Sequence, residues 1–147
     1  MKRIIDYFLL EWKWSRLRKP LLLRGARQVG KTYAVRELGK SYTSFVEINL
    51  EFEPQAQQAF AGKLDPKEII ITLTALTGKN IIAGKTLLFI DEMQAYPQAI
   101  IALRYFYEMM PELHVIAAGS LLDFAIQQVG MPVGRVQVLY MHPVSYI

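Results

Sequence analysis

Residues 25–32 read Gly-Ala-Arg-Gln-Val-Gly-Lys-Thr. This octapeptide satisfies the phosphate-binding pattern G-x-x-x-x-G-K-[ST] at every fixed position. Each fixed residue has a physical task. Gly25 and Gly30 let the backbone turn tightly, so that the amides of Ala26, Arg27, Gln28 and Val29 can point inward at phosphate oxygens. Lys31 brings a mobile positive charge to the β- and γ-phosphates, and Thr32 offers a hydroxyl to Mg²⁺. The helix that opens at Thr32 and Tyr33 turns its positive N-terminal dipole toward the same anion. With glycine near 7% of average usage, a random chain of this length matches about one time in 200. The flanks therefore have to decide.

They supply the required strand, loop and helix. Leu21, Leu22 and Leu23 form a short apolar run suited to a buried strand. Ala34, Val35 and Leu38 fall on one helical face, with Gly39 as the stop. Some 60 residues downstream, Leu87-Leu88-Phe89-Ile90 is a continuous apolar run that ends in Asp91-Glu92. Buried parallel strands read this way. Acids at their carboxyl ends stand at the rim where open α/β sheets bind ligands. Asp91 is placed to hold Mg²⁺, mainly through coordinated water, and Glu92 to polarise a water for attack on a γ-phosphate. The plainer alternative is a strand that ends in solvated acids.

The chain of 147 residues is long enough for one domain with a substantial core, and 52% apolar content argues against disorder. No apolar run reaches the ~18 residues of a membrane span. Asp6 and Glu11 interrupt any signal-like stretch, so the expected location is the cytoplasm. Cysteine is absent, which excludes disulfides, thiolate catalysis and cysteine zinc sites. His114 and His142 are lone histidines with structural or solvated roles. The net charge of +4 is concentrated in residues 1–19, where six basic residues face two acidic ones. That stretch could touch nucleic acid or an acidic partner, although a solvated helix face is the simpler reading.

Residues 3–17 show an apolar stripe of Ile4, Ile5, Phe8, Leu9 and Trp12, which predicts an amphipathic helix ended by Pro20. Phe45 to Leu50 alternates as a strand. A short helix is expected over 53–61. Asp65-Pro66-Lys67-Glu68 has the layout of a capping box and opens a helix running toward Gly78, although the β-branched run after it leaves a strand possible. Residues 94–97 read as loop and 99–110 as helix. His114 to Ala118 reads as a buried strand, 121–129 as helix and 135–140 as a last strand. Five strands joined by helical crossovers predict a parallel sheet covered on both faces. A P-loop order of 5-1-4-3-2 sets Ser120 between the phosphate loop and the acidic pair.

With those residues in order, the chain resembles the AAA-type ATPases of prokaryotes, and more narrowly the family AAA domain 14, which usually precedes a DUF4143 region. The resemblance rests on Lys19 to Thr32, Glu47-Ile48-Asn49-Leu50, Leu88 to Gln94 with Asp91-Glu92 inside it, Ala118-Gly119-Ser120-Leu121-Leu122, Gly134-Arg135, Leu139-Tyr140 and Pro143-Val144-Ser145. It implies a P-loop NTPase three-layer α/β/α sandwich over residues 20–147, preceded by a basic amphipathic helix over 1–19. Members of the family continue past the point where this chain stops, so a lid domain is expected to be absent. The resemblance implies ATP with Mg²⁺ as ligands, and Lys31, Glu92, Ser120 and Arg135 as the catalytic set. Ser120 would take the sensor-1 position, its alternative being a helix cap. Gln94 would help order the attacking water. Arg135 would reach a phosphate, either in cis or from a neighbouring subunit. Hydrolysis of ATP is the leading expectation. The alternatives are a non-hydrolysing nucleotide switch that works through a protein partner or self-association, and nucleic-acid contact through residues 1–19.

Overall fold

A computed structural model of the chain describes residues 3–25 and 30–141. Five helices and five strands are named here in chain order: α1 (Ile4–Trp14), β1 (Leu21–Arg24), α2 (Lys31–Gly39), β2 (Ser44–Asn49), α3 (Pro66–Thr77), β3 (Thr86–Asp91), α4 (Gln98–Met109), β4 (His114–Gly119), α5 (Leu122–Val129) and β5 (Gln137–Tyr140). All described strand pairs are parallel, and the sheet runs β2-β3-β4-β1-β5, the expected order read from the other edge. The central strands β3 and β4 are buried along nearly their whole length, as the apolar runs require.

Each face of the sheet carries its own apolar layer. Leu22, Val46, Ile48, Leu88, Ile90, Val115 and Ala117 point toward α3, α4 and α5. The alternate residues Leu21, Leu23, Leu87, Phe89, Ile116 and Ala118 meet α1 and α2. The period-2 alternation of side chains on each strand produces this division. Ile5, Leu9 and Trp12 of α1 are buried in the second layer, so the first helix belongs to the core.

Local chemistry explains the element ends. Asp65 caps α3 by accepting the Lys67 amide at 3.0 Å, and Gly78 closes that helix with φ +72°. The helix outcome there settles the alternative of a strand. Residues Pro54–Phe60 form a 3₁₀ helix with the proline in its first turn. A second, single 3₁₀ turn, Met93–Ala95, stands where loop was expected.

Two boundaries change, and one is explained. The first helix ends at Trp14, not at Pro20. The Arg18 guanidinium donates back to the Lys13 and Ser15 carbonyls, and the Trp12 indole donates to the Lys19 carbonyl at 2.7 Å, folding the segment against the helix end. Helix α2 does stop at Gly39, its last residue. The glycine also provides space: a Cβ there would lie 2.5 Å from the Phe45 ring. The last strand starts at Gln137, because its first paired residue sits opposite Leu21 at the start of β1.

Candidate functional site

In a parallel sheet every strand delivers its carboxyl end to the same rim. The register places Arg24 opposite Gly119, and Ile90 opposite Ala117. Gly25, Ser120 and the Asp91-Glu92 pair therefore emerge side by side, with β4 between the other two strands. Residues Ala26, Arg27, Gln28 and Val29 of the phosphate pattern lie outside the described residues, as do His142, Pro143, Val144 and Ser145. The two ends of the pattern are described. Gly30 has φ +89° and ψ +19°, a conformation that favours glycine, and it caps α2. Lys31 is buried, and its Nζ donates to the Gly25 carbonyl at 2.7 Å, which joins the two described ends of the pattern. Tyr33 lies in the first turn of α2, with an exposed side chain.

Across the rim, Thr32 Oγ1 donates to Asp91 Oδ2 at 2.9 Å. The other carboxylate oxygen of Asp91 accepts the Glu92 amide at 2.8 Å. Burial pushes the Asp91 carboxyl above its ordinary range, against the pull of those two hydrogen bonds; Glu47 adds to the rise and Lys31 opposes it. A buried carboxylate of this kind gains from a nearby cation. A hydroxyl and a carboxylate are hard oxygen donors that suit Mg²⁺, which is commonly held by one or two carboxylates together with substrate phosphates. No group of three or more histidine, cysteine, aspartate and glutamate side chains that could hold a metal ion occurs among the described residues.

Glu92 adopts φ +57° and ψ +50°, and Leu121, directly after Ser120, has φ +53°. Both are non-glycine residues in the left-handed region, where a side chain costs about 1 kcal/mol or more. The two strained positions flank the same opening. Gln94 Nε2 donates to Glu92 Oε2 at 3.2 Å. Its own Oε1 is buried without a hydrogen-bond partner, and so is the Ser120 hydroxyl. Unpaired buried polar atoms are costly and rare, and two at one rim fit a polyphosphate and its water.

Gly119 was named from sequence only within the string around Ser120 and was given no role of its own. A Cβ there would lie 2.5 Å from Gln94 Oε1, so glycine is what lets Gln94 lie over the end of β4. Its position just before Ser120 at a strand end was the available signal.

The structure does not bring Arg135 to this rim. It precedes β5 at the amino end of the sheet, with Nε donating to Glu108 at 3.0 Å. The expectation of a phosphate contact in cis is corrected by that placement. The basic residues of the first segment are also partly spent locally: Lys13 Nζ donates to Ser41, and Arg18 to backbone carbonyls.

An apolar cleft of about 220 Å³ lies between α1 (Ile4, Ile5, Phe8) and the end of β5 (Leu139, Tyr140), with Met141 and Arg3, whose guanidinium reaches Gly30, completing it. Ile4 and Phe8, expected in the buried stripe, are instead exposed and line this cleft.

Fold and site together define a nucleotide-binding α/β module of the P-loop type. The family model of the AAA domain AAA_14 matches residues 17–147, and the chain belongs to that family. Among solved structures, it is similar to the Aeropyrum pernix ORC1 protein in complex with DNA, at 13% sequence identity and a TM-score of 0.51. That similarity covers 94% of this chain and 43% of the ORC1 chain, and at such identity it speaks for the fold. No curated protein matches the chain in sequence. No helix among the described residues is long and apolar enough to cross a membrane.

Proposed function

We propose that the chain binds Mg-ATP at this rim and hydrolyses it to ADP and phosphate. The observation that carries the reading is the meeting, at one end of the sheet, of Lys31, the Thr32–Asp91 pair, the Glu92–Gln94 pair and the unpaired Ser120 hydroxyl. Thr32 and Asp91 would hold the Mg²⁺, whose charge neutralises phosphate oxygens when bound. Lys31 exchanges the Gly25 carbonyl for phosphate oxygens. Glu92 takes the proton of a water whose oxygen bonds to the γ-phosphorus as the bond to the β–γ bridging oxygen breaks. Gln94 holds the Glu92 carboxylate and offers Oε1 to that water. Ser120 donates its hydroxyl to the transferring group. The apolar cleft beside Arg3 receives the base.

The placement of Arg135 favours a second reading, a nucleotide-gated switch with little turnover of its own. An arginine at the phosphates can be worth 10³-fold or more in rate, and this candidate lies at the other end of the sheet. It could serve only from a neighbouring copy, which makes self-association the partner to test. Phosphate release by the wild-type chain, measured beside Glu92→Gln, separates the two. Hydrolysis predicts turnover well above the variant, and equal rates leave the switch.

A further inference from the structure

Arg3 is 8% exposed, unusual for so long a cation. Its backbone amide donates to Asp6 Oδ2 at 2.8 Å, which starts α1. Its guanidinium crosses to the phosphate loop and donates to the Gly30 carbonyl at 3.1 Å, 27 residues away in sequence. A Cβ on Gly30 would lie 2.3 Å from a guanidinium nitrogen. Glycine at position 30 is favoured by its φ of +89°, and a side chain there would also push against the Arg3 guanidinium. Burying a guanidinium is costly unless it is hydrogen-bonded, so the fold maintains this contact at the expense of solvation.

The contact has a consequence for the anion site. In a trans peptide the C=O and the following N–H share one plane and point in opposite directions. The Gly30 carbonyl already accepts the Ala34 amide at 3.0 Å, the first bond of α2, so Arg3 is a second donor that steadies the peptide plane from which the Lys31 amide, one of the groups of the phosphate pattern, projects. Arg3 also lines the apolar cleft together with Ile4, Ile5 and Phe8 of the same helix.

We propose that Arg3 is a positioning residue for the phosphate loop: through the Gly30 carbonyl it steadies the Lys31 amide, and it ties the first helix to occupancy of the loop by a nucleotide. The inference rests on the nucleotide-binding reading above. Coupling of this kind is reciprocal, so a nucleotide that engages the Lys31 amide must also steady α1.

The test uses the full chain with Mg-ATP, Mg-ADP and adenosine in a calorimeter. Arg3→Gln should weaken both nucleotides about tenfold, the loss of one charge-assisted hydrogen bond, and leave adenosine unchanged. Arg3→Lys retains the charge without the fork and should bind several-fold more weakly than wild type. Guanidinium ion at millimolar concentration should restore nucleotide affinity to Arg3→Ala, while equal sodium chloride should not. Asp6→Ala loosens the start of α1 without touching the guanidinium; it should melt earlier yet bind ATP within twofold of wild type. Hydrogen exchange over residues 4–14 should slow on ATP addition in wild type and stay unchanged in Arg3→Gln. Wild type that binds no ATP overturns the nucleotide reading and Arg3 with it. Wild type that binds while Arg3→Gln and Arg3→Lys bind equally well overturns the Arg3 role alone. Equal losses in Asp6→Ala and Arg3→Gln overturn it too, by assigning the effect to helix stability.

Discussion

The two ends of the sheet are made from similar residues and are finished in opposite ways. At the amino end, Arg135 and Arg104 share Glu108, the Tyr42 hydroxyl meets His114 Nδ1, and Lys13 Nζ is tied to Ser41. Polar groups there are largely matched to each other, with Arg18 Nε the exception. At the carboxyl end, Asp91 is buried and hard to ionise, Glu92 and Leu121 are in strained conformations, and Ser120 Oγ and Gln94 Oε1 lack partners. One end has been completed by its own side chains. The other keeps strain and unmet hydrogen bonds in a well-packed frame, as sites that act on a ligand do.

The sharpest way to break this contrast is Glu92→Gln. We expect ATP turnover to fall by about 10²–10⁴, with binding retained, in a phosphate-release assay. Undiminished turnover would mean that the strained carboxylate has no chemical task. Next in size, Lys31→Ala should lower ATP affinity by about 10² by calorimetry, since it removes the loop's charge-assisted contacts. Normal binding would end the assignment of the carboxyl rim.

Asp91→Asn tests the cost of the buried acid. Asparagine can accept the Glu92 amide and donate to Thr32, so the hydrogen bonds survive while the charge goes. The ligand-free variant should melt at a higher temperature than wild type, and Mg²⁺ should no longer add to ATP's stabilisation. A lower melting temperature would show that ionised Asp91 is a net stabiliser.

The amino end makes its own pH prediction. Burial, with Arg18 and Lys13 nearby, lowers the His114 pKa from 6.5 to about 4. The unfolded chain therefore takes up this proton first. Stability present above pH 6.5 is lost as pH falls toward 4, by about 1–2 kcal/mol after allowance for solvent screening of a half-exposed ring. Denaturant melts of wild type and His114→Phe across that window should diverge; parallel curves would refute the assignment. The smallest effect belongs to Arg135→Ala, which should cost under about 0.5 kcal/mol and leave dilute-solution turnover unchanged. A large loss of turnover in a monomer would undo the division between the two ends.

Much of the site was legible because its residues are close in sequence or carry a fixed local geometry. The phosphate pattern announces itself within eight residues, and the Asp91-Glu92 pair follows an unbroken apolar strand. The cap at Asp65 and the stop at Gly78 were likewise local. Arg135 misled because a loop followed by an alternating segment does not say which end of a strand faces the ligand. Only the pairing of Gln137 with Leu21 does. Gly39 does end its helix, but the sequence could not show that it also leaves room for the Phe45 ring.

By itself, then, the sequence determined the α/β class and picked out the phosphate pattern and its candidate acids, since periodicity and short motifs are properties of neighbouring residues, while the strand order came with the resemblance to P-loop ATPases. Tertiary structure alone decided that Arg3 reaches Gly30, that Gln94 lies over Gly119, and that Ser120 is buried with its hydroxyl unmet. Those facts join residues that are far apart along the chain or depend on how closely two backbones approach. Packing sets such distances, and no local pattern encodes them.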